Sequence, residues 1–199
     1  MKKLKIYNFC ILSLLLILTG ISFSQEVSKA DITEKAHVYF VRVSQYATHA
    51  IYYIIDHDSL IHISEGLSWT RYLCHPGEHL FWVTNRDNED FMTANLKAGK
   101  SYMAIIHSFP GFGKSNMQLL PVNEESKWFT KGKELIMEEE ESKTIEEDIF
   151  YKMKSLKKRK VIQKTLSRYE NEWKDEKNYE LMDDSFIIDD KEFKDLLLQ

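Results

Sequence analysis

The sequence predicts a mainly β protein, a small antiparallel β-sandwich followed by a charged C-terminal α-helical tail. Between residues 36 and 122, runs rich in β-branched and aromatic residues recur about every 8 to 12 residues, separated by turn-forming residues. No helical period connects these runs. After Asn123 the composition changes to Glu, Lys, Asp and long apolar side chains, and the stretch from Glu134 to Lys177 contains no Pro or Gly. The chain therefore divides into a β domain over residues 36–122 and a helical tail over residues 123–199.

Eight strands are expected in the β domain. Turn signals such as Asp56-His57-Asp58, Pro76-Gly77 and Ala98-Gly99 separate them. Neighbouring aromatic residues in one strand place a ring on each face of a sheet, so we expect the tail to cover the face that is not in the core. The expected strands are AHVYFVRV (36–43), HAIYYIID (49–56), SLIHIS (59–64), SWTRYLC (68–74), EHLFWVTN (78–85), FMTANL (91–96), SYMAIIHS (101–108) and SNMQLLPV (115–122).

The tail carries an apolar stripe at helical spacing. This pattern predicts one long amphipathic helix, or two, with the phase broken around residues 157–160. Such a charge-rich helix needs burial, either on the aromatic face of the same chain's sandwich or on a second chain. A final short helix, capped at Asp189 or Asp190, is expected to bury Phe193, Leu196 and Leu197. The stripe consists of Ile145, Ile149, Met153, Leu156, Ile162, Leu166, Tyr169 and Trp173.

The N-terminus has the pattern of a secretory signal peptide over residues 1–24. Three lysines precede the apolar run ILSLLLIL, and Ser22 and Ser24 are small residues placed for cleavage before Gln25. The alternative is a retained membrane anchor, because Ile6 to Phe23 is near the lower length limit for a spanning helix. We expect cleavage, a linker over residues 25–35 and an extracytoplasmic location, periplasmic or secreted. Contact with the membrane is expected only through an uncleaved signal segment.

Charge and cysteine content exclude several functions. With the three lysines of residues 1–24 removed from 27 basic residues, and all 31 acidic residues kept, the net charge falls from −4 to −7. An acidic chain argues against nucleic acid as a partner, since phosphate neutralisation needs surplus Lys and Arg. Only Cys74 remains after cleavage, so no intrachain disulfide can form. We expect this cysteine to be a small buried apolar side chain with an inert thiol.

The candidate chemistry lies in seven histidines, all in the β domain. His57, within Asp56-His57-Asp58, and the pair His75 and His79 are the candidate metal ligands, because histidine is the usual metal-binding side chain. His75 and His79 flank a Pro-Gly turn, so a site would have to form across strands. No catalytic residue is expected, since the chain has no G-x-S-x-G motif and FPGFGK lacks phosphate-loop spacing. No cofactor is expected, and the acid pairs Asp183-Asp184 and Asp189-Asp190 lack EF-hand spacing.

Residues 36–122 also resemble a known bacterial family. AHVYFVRV opens the domain, Pro76-Gly77-Glu78-His79 precedes a long strand, and LKAGKSYMAII carries the turn before the penultimate strand. In these motifs the chain resembles the domain of unknown function 2846 family, with its VYFYR-like first strand, its PG(K/E)H turn and its L.AGK.Y turn. The resemblance implies a small immunoglobulin-like sandwich in an exported bacterial protein. It implies no activity and no catalytic residue, and the tail lies outside it.

Two functions from different classes follow from these patterns. The first is an exported non-enzymatic β-sandwich module in the cell envelope, a scaffold or protein-interaction domain whose helical tail binds a protein partner or a second copy of the chain. The alternative is an extracytoplasmic binder of a small ligand or a metal that uses the histidine-rich β domain. Metal analysis of tag-free protein separates the two, since a stoichiometric transition metal favours the second.

Overall fold

The computed structural model describes residues 33–44, 46, 49–85, 88–111, 115–158, 160–175 and 179–196. The predicted signal segment, residues 1–24, lies outside this part of the chain. All eight expected strands form, with ends that differ from the sequence pattern by only a few residues, and a ninth strand forms in the tail. The strands are β1 (Ala36–Arg42), β2 (Tyr52–Asp56), β3 (Ser59–Ser64), β4 (Ser68–Cys74), β5 (Gly77–Thr84), β6 (Glu89–Leu96), β7 (Ser101–Pro110), β8 (Ser115–Val122) and β9 (Glu180–Met182).

The strands form two mixed sheets, so the expectation of purely antiparallel sheets was wrong. The first sheet has the order β4-β1-β7-β8 and the second has the order β3-β2-β5-β6-β9. Hairpin neighbours pair antiparallel, but β1 pairs parallel with β7 and β6 pairs parallel with β9. Strands joined by a tight turn must run antiparallel. The members of the two parallel pairs are distant in sequence, so no turn determines their relative direction.

The two sheets face each other across a shared apolar core. Val38, Phe40 and Tyr102 of the first sheet and Phe81 and Met92 of the second are buried in one cluster. The ring centroids of Phe40 and Phe81 are 5.3 Å apart in an edge-to-face arrangement that links the sheets. The side chains on the opposite faces of β1 and β7 are buried as well, as in a central strand.

Two tail helices cover the outer face of the first sheet. Helix α1 (Lys127–Glu138) starts at the N-cap Ser126, whose hydroxyl accepts from the Trp128 N–H group, and a short C-terminal helix adds buried Phe193. At Gly132 a Cβ atom would lie 2.6 Å from the Met103 sulfur, so the missing side chain lets α1 approach β7 closely. The covered face consists of Tyr39, Val41, Val43, Met103, Ile105 and Val122.

The outer face of the second sheet is covered by α2 (Glu146–Lys158) and α3 (Val161–Arg168), followed by a π-helical turn (Tyr169–Trp173). Lys160 adopts the left-handed conformation, with φ of 54°, between the two helices, so the predicted break in phase is confirmed. Leu156 and Ile162 are buried against Trp82 and Phe91, so the tail folds back onto the aromatic face as expected. Ile145 was assigned to the same stripe but precedes α2 and is 67% exposed.

The segment between α1 and α2 crosses one open edge of each sheet, at β4 and β3. The Ser142 N–H group donates to the Trp69 carbonyl of β4 at 2.8 Å, and the Ile63 N–H group of β3 donates to the Thr144 hydroxyl at 2.9 Å. A carboxylate oxygen of Glu141 accepts from the N–H group of Arg71 at 2.9 Å. These bonds occupy edge-strand groups that would otherwise be open to pairing with another chain. In the part of the chain that the structure describes, no helix combines the length and apolar character needed to cross a membrane.

Candidate functional site

Asp56, His57 and His79 meet at one end of the second sheet. Asp56 ends β2, His57 begins the turn into β3, and His79 lies on β5, which pairs with β2. One donor atom from each of the three side chains lies within 4.8 Å of the others. Among the described residues this is the one group of three or more His, Cys, Asp or Glu side chains with metal-binding proximity.

His57 is held in an unusual backbone conformation. Its φ is 51°, in the left-handed region that is uncommon for residues other than Gly, although Asn, Asp and His are enriched there. Two hydrogen bonds with β5 hold His57 there. The His57 N–H group donates to the Leu80 carbonyl at 2.9 Å, and the Trp82 indole N–H group donates to the His57 carbonyl at 2.8 Å. Its Nδ1 atom donates to Oδ1 of Asp56 at 2.8 Å. The imidazole is therefore positioned while 57% of the side chain stays exposed.

His79 faces hydrogen-bond acceptors with both ring nitrogens. Nδ1 lies 2.7 Å from Oδ2 of Asp56, and Nε2 lies 2.8 Å from the backbone carbonyl of His75. The hydroxyl of Tyr72, from the facing sheet, donates to the same Oδ2 of Asp56 at 3.2 Å. A carboxylate and a carbonyl accept only, so the ring carries a proton on each nitrogen and forms a partly buried ion pair with Asp56.

The pKa values of the pair agree with this geometry. Burial opposes the positive charge of His79, but hydrogen bonds with Asp56, Cys74 and the His75 carbonyl raise its pKa to about 10. Burial likewise opposes the charge of Asp56, yet the hydrogen bonds from His79 and His57 lower the pKa of this carboxyl. The site therefore concentrates one negative carboxylate among nitrogen donors in a partly desolvated environment.

Cys74 lies beside this group but does not form a nucleophile–base pair with it. The thiol is 4% exposed, and its sulfur lies 3.8 Å from the Ala36 carbonyl oxygen. Both ring nitrogens of His79 face other acceptors, Asp56 and the His75 carbonyl, so neither is aimed at the thiol as a base would be. The geometry therefore supports an inert buried thiol at Cys74 rather than a nucleophile.

The structure brings together two of the three candidate metal ligands. His57 and His79 join with Asp56, whereas His75 contributes its backbone carbonyl and keeps an exposed side chain. Tyr72 has no sequence signal that marks it, because its contact with Asp56 depends on how the sheets face each other. The sequence showed the Asp-His-Asp turn, but it did not show that His79 on β5 would contact Asp56. The remaining described histidines lie outside the group: His37, His49, His62 and His107.

The acid pairs of the tail act as caps and ion-pair partners. A carboxylate oxygen of Asp183 accepts from the Ser185 N–H group at 2.9 Å, and Asp184 pairs with Lys97. Asp190 accepts from the Phe193 N–H group at 2.7 Å, which confirms the predicted cap of the last helix, α4 (Lys191–Leu196). The expected partners Leu196 and Leu197 lie outside the described side chains.

A second surface feature lies on α2. Phe150 and Tyr151 are 63% and 59% exposed, and their ring centroids are 5.7 Å apart. Beside them a groove of about 650 Å³ runs between α2 and the edge of the second sheet. Its apolar lining consists of Ile51, Tyr53, Ile63, Ile145 and Tyr151.

Comparison with known proteins found no match. No protein-family model matches the chain, no curated protein matches it, and no solved structure matches it.

Proposed function

We propose that the chain is an exported, non-enzymatic β-sandwich module of the bacterial cell envelope that acts by pairing with a second copy of itself through α2. The observation that carries this proposal is the exposed aromatic pair Phe150 and Tyr151. The tail covers the outer faces of both sheets, yet this pair is left in solvent on the covering helix itself. Adjacent exposed aromatic residues are typical of protein contact surfaces.

The exposed face of α2 carries opposite charges at its two ends. Glu147 lies three residues before Phe150, and Lys154 lies three residues after Tyr151, so the four side chains share one helix face. All four are exposed. The opposite face, with Ile149, Met153 and Leu156, packs on the sandwich.

A two-fold axis at the aromatic pair satisfies this pattern. In an antiparallel pair of α2 helices centred between Phe150 and Tyr151, Glu147 of one chain lies opposite Lys154 of the other, and the contact occurs twice. The aromatic side chains then meet at the centre with the charges at the rim, as in stable interfaces. Charge complementarity therefore selects a second copy as the occupant of this face.

The export and the family assignment belong to the same proposal. The lysines and the apolar run of residues 1–24 support export, and the three strand and turn motifs of residues 36–122 support membership in the domain of unknown function 2846 family. Two sheets packed face to face around one core support an immunoglobulin-like sandwich. A module of this kind presents α2 on a rigid scaffold.

Sedimentation equilibrium of the mature protein tests the association. We expect a monomer–dimer equilibrium that the change Phe150→Asp weakens by about tenfold or more, because a charge would replace a central aromatic contact. Leu181→Asp is the matched control, since Leu181 is 50% exposed and lies on the far edge strand β9. A monomeric wild type at every concentration, or equal weakening by the control, would overturn the proposal.

A charge exchange tests the antiparallel geometry. Glu147→Lys should weaken the dimer, because two like-charged contacts with Lys154 replace two attractive ones. Adding Lys154→Glu in the same chain restores opposite charges at both contacts, so the double variant should recover most of the wild-type affinity. Failure of the second change to restore affinity would contradict the antiparallel pairing of α2, even if the protein dimerises.

A further inference from the structure

We propose that Asp56, His57 and His79 form a binding site for a divalent zinc ion. This site lies on the β domain, away from the exposed face of α2, and does not depend on self-association. Three kinds of observation carry it: the donor set, the hydrogen bonds that orient the donors, and the constrained conformation of His57.

The donor set suits zinc rather than calcium or magnesium. Two imidazole nitrogens and one carboxylate are ligands that zinc accepts, whereas calcium and magnesium prefer oxygen ligands alone. Nδ1 of His57 and Nδ1 of His79 lie on either side of the two Asp56 oxygens, at 2.8 Å and 2.7 Å. Donor atoms on a tetrahedral zinc ion stand about 3.4 Å apart for metal–nitrogen distances of about 2.1 Å. The donor atoms lie within 4.8 Å of one another, and the exposed side chain of His57 is the ligand with room to adjust to this spacing.

The surrounding hydrogen bonds orient the donors as in established metal sites. A metal-bound histidine commonly donates its other ring N–H group to a backbone carbonyl, and Nε2 of His79 does so to His75 at 2.8 Å. The ligating carboxylate is usually hydrogen-bonded in turn, and the Tyr72 hydroxyl donates to Asp56. The metal would take the place of the protons that now lie between the carboxylate and the two Nδ1 atoms.

The backbone of His57 supplies the third observation. A left-handed conformation at a residue other than Gly is uncommon and is held in place by surrounding structure. Two bonds to β5 keep His57 in this conformation, and they fix its ring beside Asp56. The three protein ligands leave a fourth position for water or an external ligand.

Direct titration of tag-free protein with zinc, in competition with a coloured chelator, tests the site. We expect one zinc ion per chain and a loss of at least about tenfold in affinity for His57→Asn, a change that removes a ligand and suits the left-handed backbone. The matched control is His49→Asn, at an exposed histidine outside the group. Cobalt supplies a second readout, since its visible absorption becomes intense in a tetrahedral site.

The change His75→Ala distinguishes the ligand set seen in the structure from the one that the sequence suggested, which included His75. Its side chain is exposed and only its carbonyl contacts His79, so zinc affinity should remain within about twofold of the wild type. Absence of zinc binding, or equal affinity of His57→Asn and the wild type, would overturn the proposal. A loss on His75→Ala as large as that on His57→Asn would overturn the ligand set. The dimer mass of each variant is measured in parallel, so a failed zinc site and a failed α2 interface give different results.

Discussion

At the scale of single residues, partly or fully buried polar groups in this protein have specific roles. Asp56 and His79 neutralise each other, while Arg42 is completely buried and donates to the Ala50 carbonyl at 2.7 Å, with its guanidinium over the Tyr52 ring. His62 differs, because it is 3% exposed and no acidic group pairs with it among the described residues. Its Nδ1 atom contacts the Thr144 hydroxyl at 2.8 Å, and burial lowers its pKa to about 4.

His62 therefore predicts a loss of stability in mild acid. In the unfolded chain its pKa is near 6.5, so below that pH the unfolded state takes up a proton that the folded state resists. Above about pH 6.5 His62 is neutral in both states and does not lower the free energy of unfolding. As the pH decreases towards 4 the free energy of unfolding falls, by about 3 kcal/mol at most. Urea unfolding at pH 7 and pH 4.5 measures this loss, which should be smaller in His62→Asn. An equal loss in both proteins would refute the assignment to His62.

At the scale of secondary-structure elements, the tail is an integral part of the fold. Helices α1 and α4 cover one sheet, α2 and α3 cover the other, and β9 extends the second sheet. Each helix buries its apolar side on an aromatic or aliphatic sheet face. A charge-rich helix of this length gains too little from propensity alone, so this burial accounts for its stability.

The double change Ile149→Asp and Leu156→Asp tests the packing of α2. Leu156 is 3% exposed in the cluster with Trp82 and Phe91, and an uncompensated charge in such a place is unfavourable. We expect a loss of more than about 3 kcal/mol in the free energy of unfolding. Ile145→Asp is the matched control, since Ile145 is 67% exposed and should change stability by less than about 0.5 kcal/mol. A melting temperature of the double variant equal to that of the control would contradict the burial.

At the scale of the whole molecule, the layers are helix, sheet, sheet and helix. The chain passes from one outer layer to the other through residues 139–145, which bind the edge strands β4 and β3 on the way. Hydrogen bonds to this segment occupy groups of β4 and β3, which makes these two edges poor routes to association by β-strand addition. The exposed face of α2, with Phe150 and Tyr151, is the surface proposed for the dimer.

Export is the prediction that belongs to this scale. The lysines and apolar run of residues 1–24 predict removal of this segment in a bacterial host. The intact mass of the exported protein should correspond to a chain that begins at Gln25. Recovery of the full-length mass from the membrane fraction would instead mean that the segment stays attached as an anchor.

The sequence by itself determined the eight strands of residues 36–122, the turns between them, the change of composition at Asn123 and the helix break near Lys160. These features depend on local backbone preferences and on side-chain period, which neighbouring residues specify. It also singled out His57 and His79 by residue type, but it could not join them to Asp56 and Tyr72.

Only the tertiary structure decided the parallel pairing of β1 with β7 and of β6 with β9, the strand β9 itself and the meeting of Asp56 with His79. Asp56 and His79 are 23 residues apart in sequence, and their contact requires the register of β2 on β5. Register and parallel pairing arise from packing between segments that no short turn connects. A single sequence carries no local signal for them, because their free energy comes from burial that exists only once the sheets have come together.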